Sequence, residues 1–174
     1  MKLQGKSYAA WFDAAGPYEV LSLGIRMERG AAKTYRAMAK NAPSAALRAK
    51  FRYLAEEERE HGRLLAEARV RTRPSSKARP LPVSASEAET VVEGRTPAEA
   101  VRLALRSEHE AEIFYRECAS RCRRAKGRKL FETLAAQESG HAAALEREFK
   151  ALRGPLPWSS LEGFVPEEKD YWTA

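Results

Sequence analysis

Cysteine is nearly missing: Cys118 and Cys122 are the only two in 174 residues, and no C-x-x-C pair occurs. Two thiols are too few for a disulfide framework or a four-thiolate metal site, and they point to a reducing compartment. Long apolar runs are also absent. No stretch of about eighteen apolar residues exists, and residues 1–12 lack the apolar core of a secretory signal, so a cytoplasmic protein without a membrane span is expected. No segment alternates apolar and polar residues as a strand ladder would. What remains is a 19.5 kDa chain with 44% hydrophobic and 32% charged residues, enough for one ordinary core and so for a single domain.

The net charge is +7 and the pI is near 9.6. Much of the excess sits in two clusters, Arg69, Arg71, Arg73, Lys77 and Arg79, then Arg121, Arg123, Arg124, Lys126, Arg128 and Lys129. Both fall near expected helix ends. Cations at helix C-termini favour the macrodipole, and that reading is preferred to nucleic-acid binding.

Apolar residues recurring every three to four positions, without internal proline, predict four helices at roughly 17–40, 44–70, 97–122 and 128–153. Ser44 is placed to cap the second. Thr96-Pro97-Ala98-Glu99 offers a capping threonine, a proline at the first helical position and a glutamate three residues after the cap. At about 25 residues, or roughly 38 Å each, such helices fit a bundle. The links at 41–43 and around Lys126 and Gly127 are short, so helices one and two, and three and four, are antiparallel neighbours. The link at 72–95 is long enough to run back along the bundle, which makes helices two and three parallel: up, down, down, up, with one crossover. The organisation is then an N-terminal arm (1–16), a four-helix bundle (17–153) and an aromatic tail (154–174) carrying Trp158, Phe164, Tyr171 and Trp172. Trp11 and Phe12 in the arm, like the tail, are expected to close a bundle end or dock on a second subunit.

An internal repeat supports this symmetry. A shift of 80 residues places Leu23, Arg26, Glu28, Ala31 and Tyr35 on Leu103, Arg106, Glu108, Ala111 and Tyr115. It also places Phe51, Leu54, Ala55, Glu58, His61 and Leu65 on Phe131, Leu134, Ala135, Glu138, His141 and Leu145 without a gap. Amphipathic helices repeat leucine and alanine by chance, but not glutamate, histidine and tyrosine in register.

The rows Phe51, Leu54, Glu58, His61, Leu65 and Phe131, Leu134, Glu138, His141, Leu145 have the spacing of inward-facing seams. Leu21, Gly24, Glu28, Ala31, Tyr35 and Val101, Ala104, Glu108, Ala111, Tyr115 form the other two. Each helix therefore points one glutamate into the core. Four buried carboxylates without compensation cost many kcal/mol, and no lysine or arginine shares these rows. Two divalent ions restore neutrality against four carboxylates and two neutral imidazoles. Residues i and i+3 lie about 4.5 Å apart along a helix, so Glu58 with His61 can reach one ion and Glu138 with His141 the other. Glu28 and Glu108 complete the shells, and Glu58 and Glu138 are the better candidates for bridging. Carboxylate and imidazole suit two iron ions, with manganese or a mixed pair as the alternative, and open positions would take oxygen or peroxide.

One glutamate from each of two helices and Glu-x-x-His from each of the others is the pattern of di-metal carboxylate bundles. Over about residues 20–150 the chain resembles the ferritin-like superfamily, most of all its rubrerythrin branch, through Glu28 with Tyr35, Glu58-Arg59-Glu60-His61, Glu108 with Tyr115, and Glu138-Ser139-Gly140-His141. The resemblance implies an all-α ferritin-like bundle with a di-iron centre that reduces hydrogen peroxide, and a homodimer. It also supports Tyr35 and Tyr115 as residues that orient ligand glutamates or donate an electron. The chain departs from the branch in two ways. No rubredoxin-like cysteine set is present, so electrons must come from a separate donor such as a rubredoxin. Ala111 stands where a further glutamate is expected, with Glu112 one residue later. Iron binding with ferroxidase or storage activity, without reductive turnover, is the competing function. The remaining polar candidates have plain readings: His109 solvated, Glu112 paired with Arg116, and Cys118 and Cys122 filling core space.

Overall fold

The computed structural model describes residues 11–74 and 95–153, with side chains up to 150. The crossover and aromatic-tail expectations at 75–94 and 154–174 lie outside the described residues. Four long helices carry the described chain: α1 (Pro17–Lys40), α2 (Ala45–Val70), α3 (Pro97–Arg121) and α4 (Ala125–Arg153). Their starts are written in local chemistry. Gly16 precedes Pro17, and Glu19 Oε2 accepts from the Gly16 amide at 3.0 Å. Ser44 Oγ accepts from the Leu47 amide at 3.2 Å. At α3 the exchange is reciprocal: Thr96 Oγ1 accepts from the Glu99 amide (3.3 Å), and Glu99 Oε2 accepts from the Thr96 amide (2.8 Å). Each bond satisfies an amide that the helix leaves without a partner.

The start of α4 corrects the sequence reading. The helix begins at Ala125 rather than near Arg128, and the Arg128 amide already donates to Arg124 O at 2.9 Å. Gly127, read as a turn residue, lies in the first turn, where a Cβ would come within 2.8 Å of Cys122 Sγ. It is a close-packing glycine. The same shift corrects the charge argument. Arg69 and Arg121 sit in the last turns of α2 and α3 as the dipole favours, but Lys126 and Arg128 occupy the first turn of α4, where it opposes them.

Helices α1 with α2 and α3 with α4 form the two tight hairpins. Across them, Tyr35 late in α1 meets Glu108 early in α3, while Tyr115 late in α3 meets Glu28 earlier in α1. Lys50 likewise pairs with Glu148, and Glu58 faces His141. Both cross-hairpin pairs are therefore antiparallel, which gives the up, down, down, up order. The apolar core divides into two clusters, one around Phe51, Leu54, Val101 and Leu145, the other around Leu23, Leu65, Phe114 and Leu134. Trp11 and Phe12, on a short helical turn before α1, belong to the second cluster, so this part of the arm closes one bundle end. Among the described residues no helix is long and apolar enough to cross a membrane.

Candidate metal centre

Between the two apolar clusters lies a polar layer. Glu28, Glu58, His61, Glu108 and Glu138 are each at most 2% exposed, and His141 is 7% exposed. The seams predicted from spacing place them there: the apolar residues one turn to either side on α2 and α4, Leu54 with Leu65 and Leu134 with Leu145, are buried as well.

Two overlapping quartets result. Glu28, Glu58, His61 and Glu138 bring one oxygen or nitrogen each within 4.8 Å of one another, and so do Glu58, Glu108, Glu138 and His141. Glu58 and Glu138 belong to both. His61 Nδ1 lies 2.9 Å from Glu138, 3.3 Å from Glu58 and 3.7 Å from Glu28. His141 Nδ1 lies 3.0 Å from Glu58, 3.4 Å from Glu108 and 3.6 Å from Glu138. The two imidazoles stack at 5.5 Å with 15° between planes.

Protons must balance this layer when no cation does. Burial raises the Glu28 and Glu108 carboxyls well above the ordinary 4.5, with neighbouring carboxylates adding to the rise. Burial also works against Glu58, but His141 and His61 overcome it and bring that group down to about 2. Glu138 is lowered by the same imidazoles against the same burial. His61 and His141 are pushed up to about 12, because surrounding carboxylates outweigh the burial that disfavours their charge. Two imidazolium ions then face two carboxylates and two carboxylic acids.

Even so, seven buried atoms of this layer make no well-formed hydrogen bond: both oxygens of Glu58, Glu108 Oε2, Glu138 Oε1, both nitrogens of His61 and His141 Nδ1. Six of them have only the ion-pair contacts above and His61 Nε2 has none, and native interiors tolerate few atoms so poorly satisfied. Two divalent cations fit: their four charges match four carboxylates, and lone pairs left idle become ligand bonds.

Tyr35 Oη donates to Glu108 Oε1 and Tyr115 Oη to Glu28 Oε1, each across the hairpin boundary. Burial, then the charge of the accepting glutamate, raises both phenols, so both stay protonated donors. Tyr35 stacks on Phe51 at 6.4 Å and Tyr115 on Phe131 at 6.2 Å, which fixes each ring. Gly24 makes room for one hydroxyl, since a Cβ there would lie 3.1 Å from Leu65 Cδ1 and 3.4 Å from Tyr115 Oη.

Other candidates stay outside. Glu112 pairs with Arg116 at 2.7 Å and joins neither quartet, while Ala111 is buried in the apolar layer. His109 is exposed. Cys118 is buried and its thiol is pushed up by burial, an inert core filler. Sequence reasoning missed the ring contacts that join Phe114 to Phe12 and Trp11. Phe114 carries a helical signal beside Tyr115, whereas Trp11 and Phe12 precede the periodic segments and carry none.

Similar structures agree with this layout. A hypothetical protein from Pyrococcus furiosus superimposes with a TM-score of 0.67 and 27% identity, over 85% of this chain and 94% of that one. An uncharacterized conserved protein from Magnetospirillum magnetotacticum MS-1 matches in fold at a TM-score of 0.60 and 22% identity, over 82% and 98%. No curated protein matches the sequence. The family model for rubrerythrin matches residues 19–101 and 99–165, which takes in all four helices and every member of both quartets, and the chain belongs to the rubrerythrin family.

Proposed function

We propose that this protein is a di-iron oxidoreductase that reduces hydrogen peroxide or oxygen at the buried layer. The observation that carries the reading is the pair of quartets sharing Glu58 and Glu138, buried and left with idle lone pairs. A mixed carboxylate and imidazole donor set suits iron or manganese better than thiolate-seeking ions. When bound, such a pair supplies two electrons to one oxidant molecule. The chain supplies position and proton control. Glu58 and Glu138, which belong to both quartets, would serve both ions, and His61 and His141 would each serve one. Glu28 and Glu108 each belong to one quartet and have one oxygen held by a tyrosine, so the other is free to turn toward an ion.

Electrons come from a separate donor such as a rubredoxin, and the working unit is a cytoplasmic homodimer. A second reading, iron binding with ferroxidase or storage activity and no reductive turnover, is supported by Glu112: its engagement with Arg116 leaves the layer with four carboxylates. The test is purification without oxygen, a count of iron and manganese per chain, and stopped-flow oxidation by peroxide and by oxygen, with mass in solution. Two irons per chain and oxidation by peroxide faster than by oxygen are expected. A protein that takes up no metal pair overturns the proposal, and a many-subunit shell that accumulates iron replaces it with storage.

A further inference from the structure

The two quartets share Glu58 and Glu138, yet water reaches their histidines unequally. The His61 side chain is 1% exposed and the His141 side chain 9%, the most of the six. The residues beside them account for the difference. The 80-residue shift that superposes the ligands places Glu60 on Gly140 and Leu64 on Ala144. In a helix, the residue one before a given position and the residue three after it lie on the same flank of it, one above the other. Exposed Glu60 and half-buried Leu64 therefore form a ridge along one flank of His61, and Arg63 anchors Glu60 at 2.6 Å. Along the same flank of His141 that ridge is missing. Gly140 is exposed, with nothing within 4 Å of where a Cβ would stand, and half-buried Ala144 ends at its methyl. The other flank is covered in both hairpins: a Cβ on Gly62 would lie 3.5 Å from Glu28 Cβ, and Ala142 is buried. Among the described residues the difference thus lies on one flank of one ligand.

We infer that the two quartets differ in use: Glu28, Glu58, His61 and Glu138 hold a resident divalent ion, whereas Glu58, Glu108, Glu138 and His141 hold one that exchanges with solvent past His141, over the bare flank of Gly140 and Ala144. This rests on the metal reading above. An ion leaves a closed cage only when one of its ligands swings aside. Exchange with solvent runs through the local openings that cost least. Moving a side chain that already meets water, beside a flank without side chains, disturbs little packing. His61, by contrast, is sealed behind Glu60 and Leu64, and an opening there must displace both. Glu58 and Glu138 belong to both quartets, so the resident ion keeps them in place when the other position is empty. A position that loads and unloads in this way is also where iron would pass through as a substrate.

The test loads the full chain with cobalt(II), whose visible bands report its ligands, and follows their loss in stopped flow with chelator in such excess that its concentration no longer sets the rate. Two phases of equal amplitude are expected, with rates at least about tenfold apart. Glu28→Ala, which leaves the His141 quartet whole, should show the fast phase alone, and Glu108→Ala the slow phase alone. The double variant Gly140→Glu with Ala144→Leu builds the α2 ridge on α4 and keeps all six ligands. It should slow the fast phase toward the slow one and leave the slow one as it was. The reciprocal variant, Glu60→Gly with Leu64→Ala, should speed the slow phase. One rate for both ions, or a fast phase that the added ridge does not change, overturns the inference and leaves the metal reading standing. A chain that takes up no cobalt pair overturns both.

Discussion

The α1–α2 and α3–α4 hairpins put the same side chains at the same heights around the polar layer and then part company one position farther out. Glu28, Tyr35, Glu58 and His61 repeat as Glu108, Tyr115, Glu138 and His141, with crossed tyrosine bonds that mirror each other. Thr34 against Phe114, Gly24 against Ala104 and Ala42 against Cys122 do not repeat. The repeat holds among the six side chains of the polar layer and fails in the surroundings of the two tyrosines.

The largest break in the comparison comes from the glutamates themselves. Glu58→Ala or Glu138→Ala removes a member of both quartets and should cost both ions, while Glu28→Ala or Glu108→Ala touches one quartet and should leave one ion in place. Metal per chain, counted by elemental analysis, checks this.

Removing the metal affects both hairpins together and makes stability depend on pH. The histidine contribution of the metal-free protein, raised from 6.5 to about 12, is present below 6.5 and is lost as pH rises toward 12. The Glu28 and Glu108 contributions, also raised, are lost as pH climbs above 4.5. Glu58, lowered to about 2, acts the other way: its contribution is present above 4.5 and is lost as pH falls to 2. The metal-free fold should therefore be firmest in mild acid and weaken with alkali. Metal, which needs unprotonated imidazole and carboxylate, should protect more as pH rises, by about 2.7 kcal/mol at a hundred times its dissociation constant. Melting curves with and without a chelator at several pH values read this directly.

Smaller effects separate the hairpins. Tyr35→Phe and Tyr115→Phe each leave one buried glutamate oxygen without its donor and should cost about 1–3 kcal/mol in urea unfolding. Equal losses would mean that the different surroundings of the two rings matter to chemistry alone. Glycine gives the finest comparison. Gly140→Ala adds a methyl where nothing lies within 4 Å and should stabilise by about 0.5–1 kcal/mol through helix propensity. Gly24→Ala gains the same propensity but crowds Leu65 and Tyr115, so its net gain should vanish while the tyrosine environment changes.

Much of this was legible in the sequence. The 3.6-residue period placed all four helices, Ser44 and Thr96 marked two starts, and the 80-residue register put the four glutamates and two histidines on one level. Periodicity reports which face turns inward, and these six residues were visible because they are polar where the period demands apolar. What it does not report is the use of a residue with two uses. Gly127 reads as a turn and serves as a packing gap beside Cys122, so the start of α4 was misplaced and the cations around it were assigned to the wrong helix end. Nor does it report contacts between an aperiodic arm and the bundle, which is why the sequence leaves Trp11 and Phe12 between a bundle end and a second subunit, and the structure places them at the bundle end.

The six converging side chains are divided three and three between the hairpins, Glu28, Glu58 and His61 on one, Glu108, Glu138 and His141 on the other. During synthesis the first hairpin leaves the ribosome carrying half a cage, and neither quartet closes until α4 has emerged and docked. Either hairpin cut from the other holds three donors of a four-donor set at most. Closure of either quartet therefore requires that both hairpins be present and docked on each other.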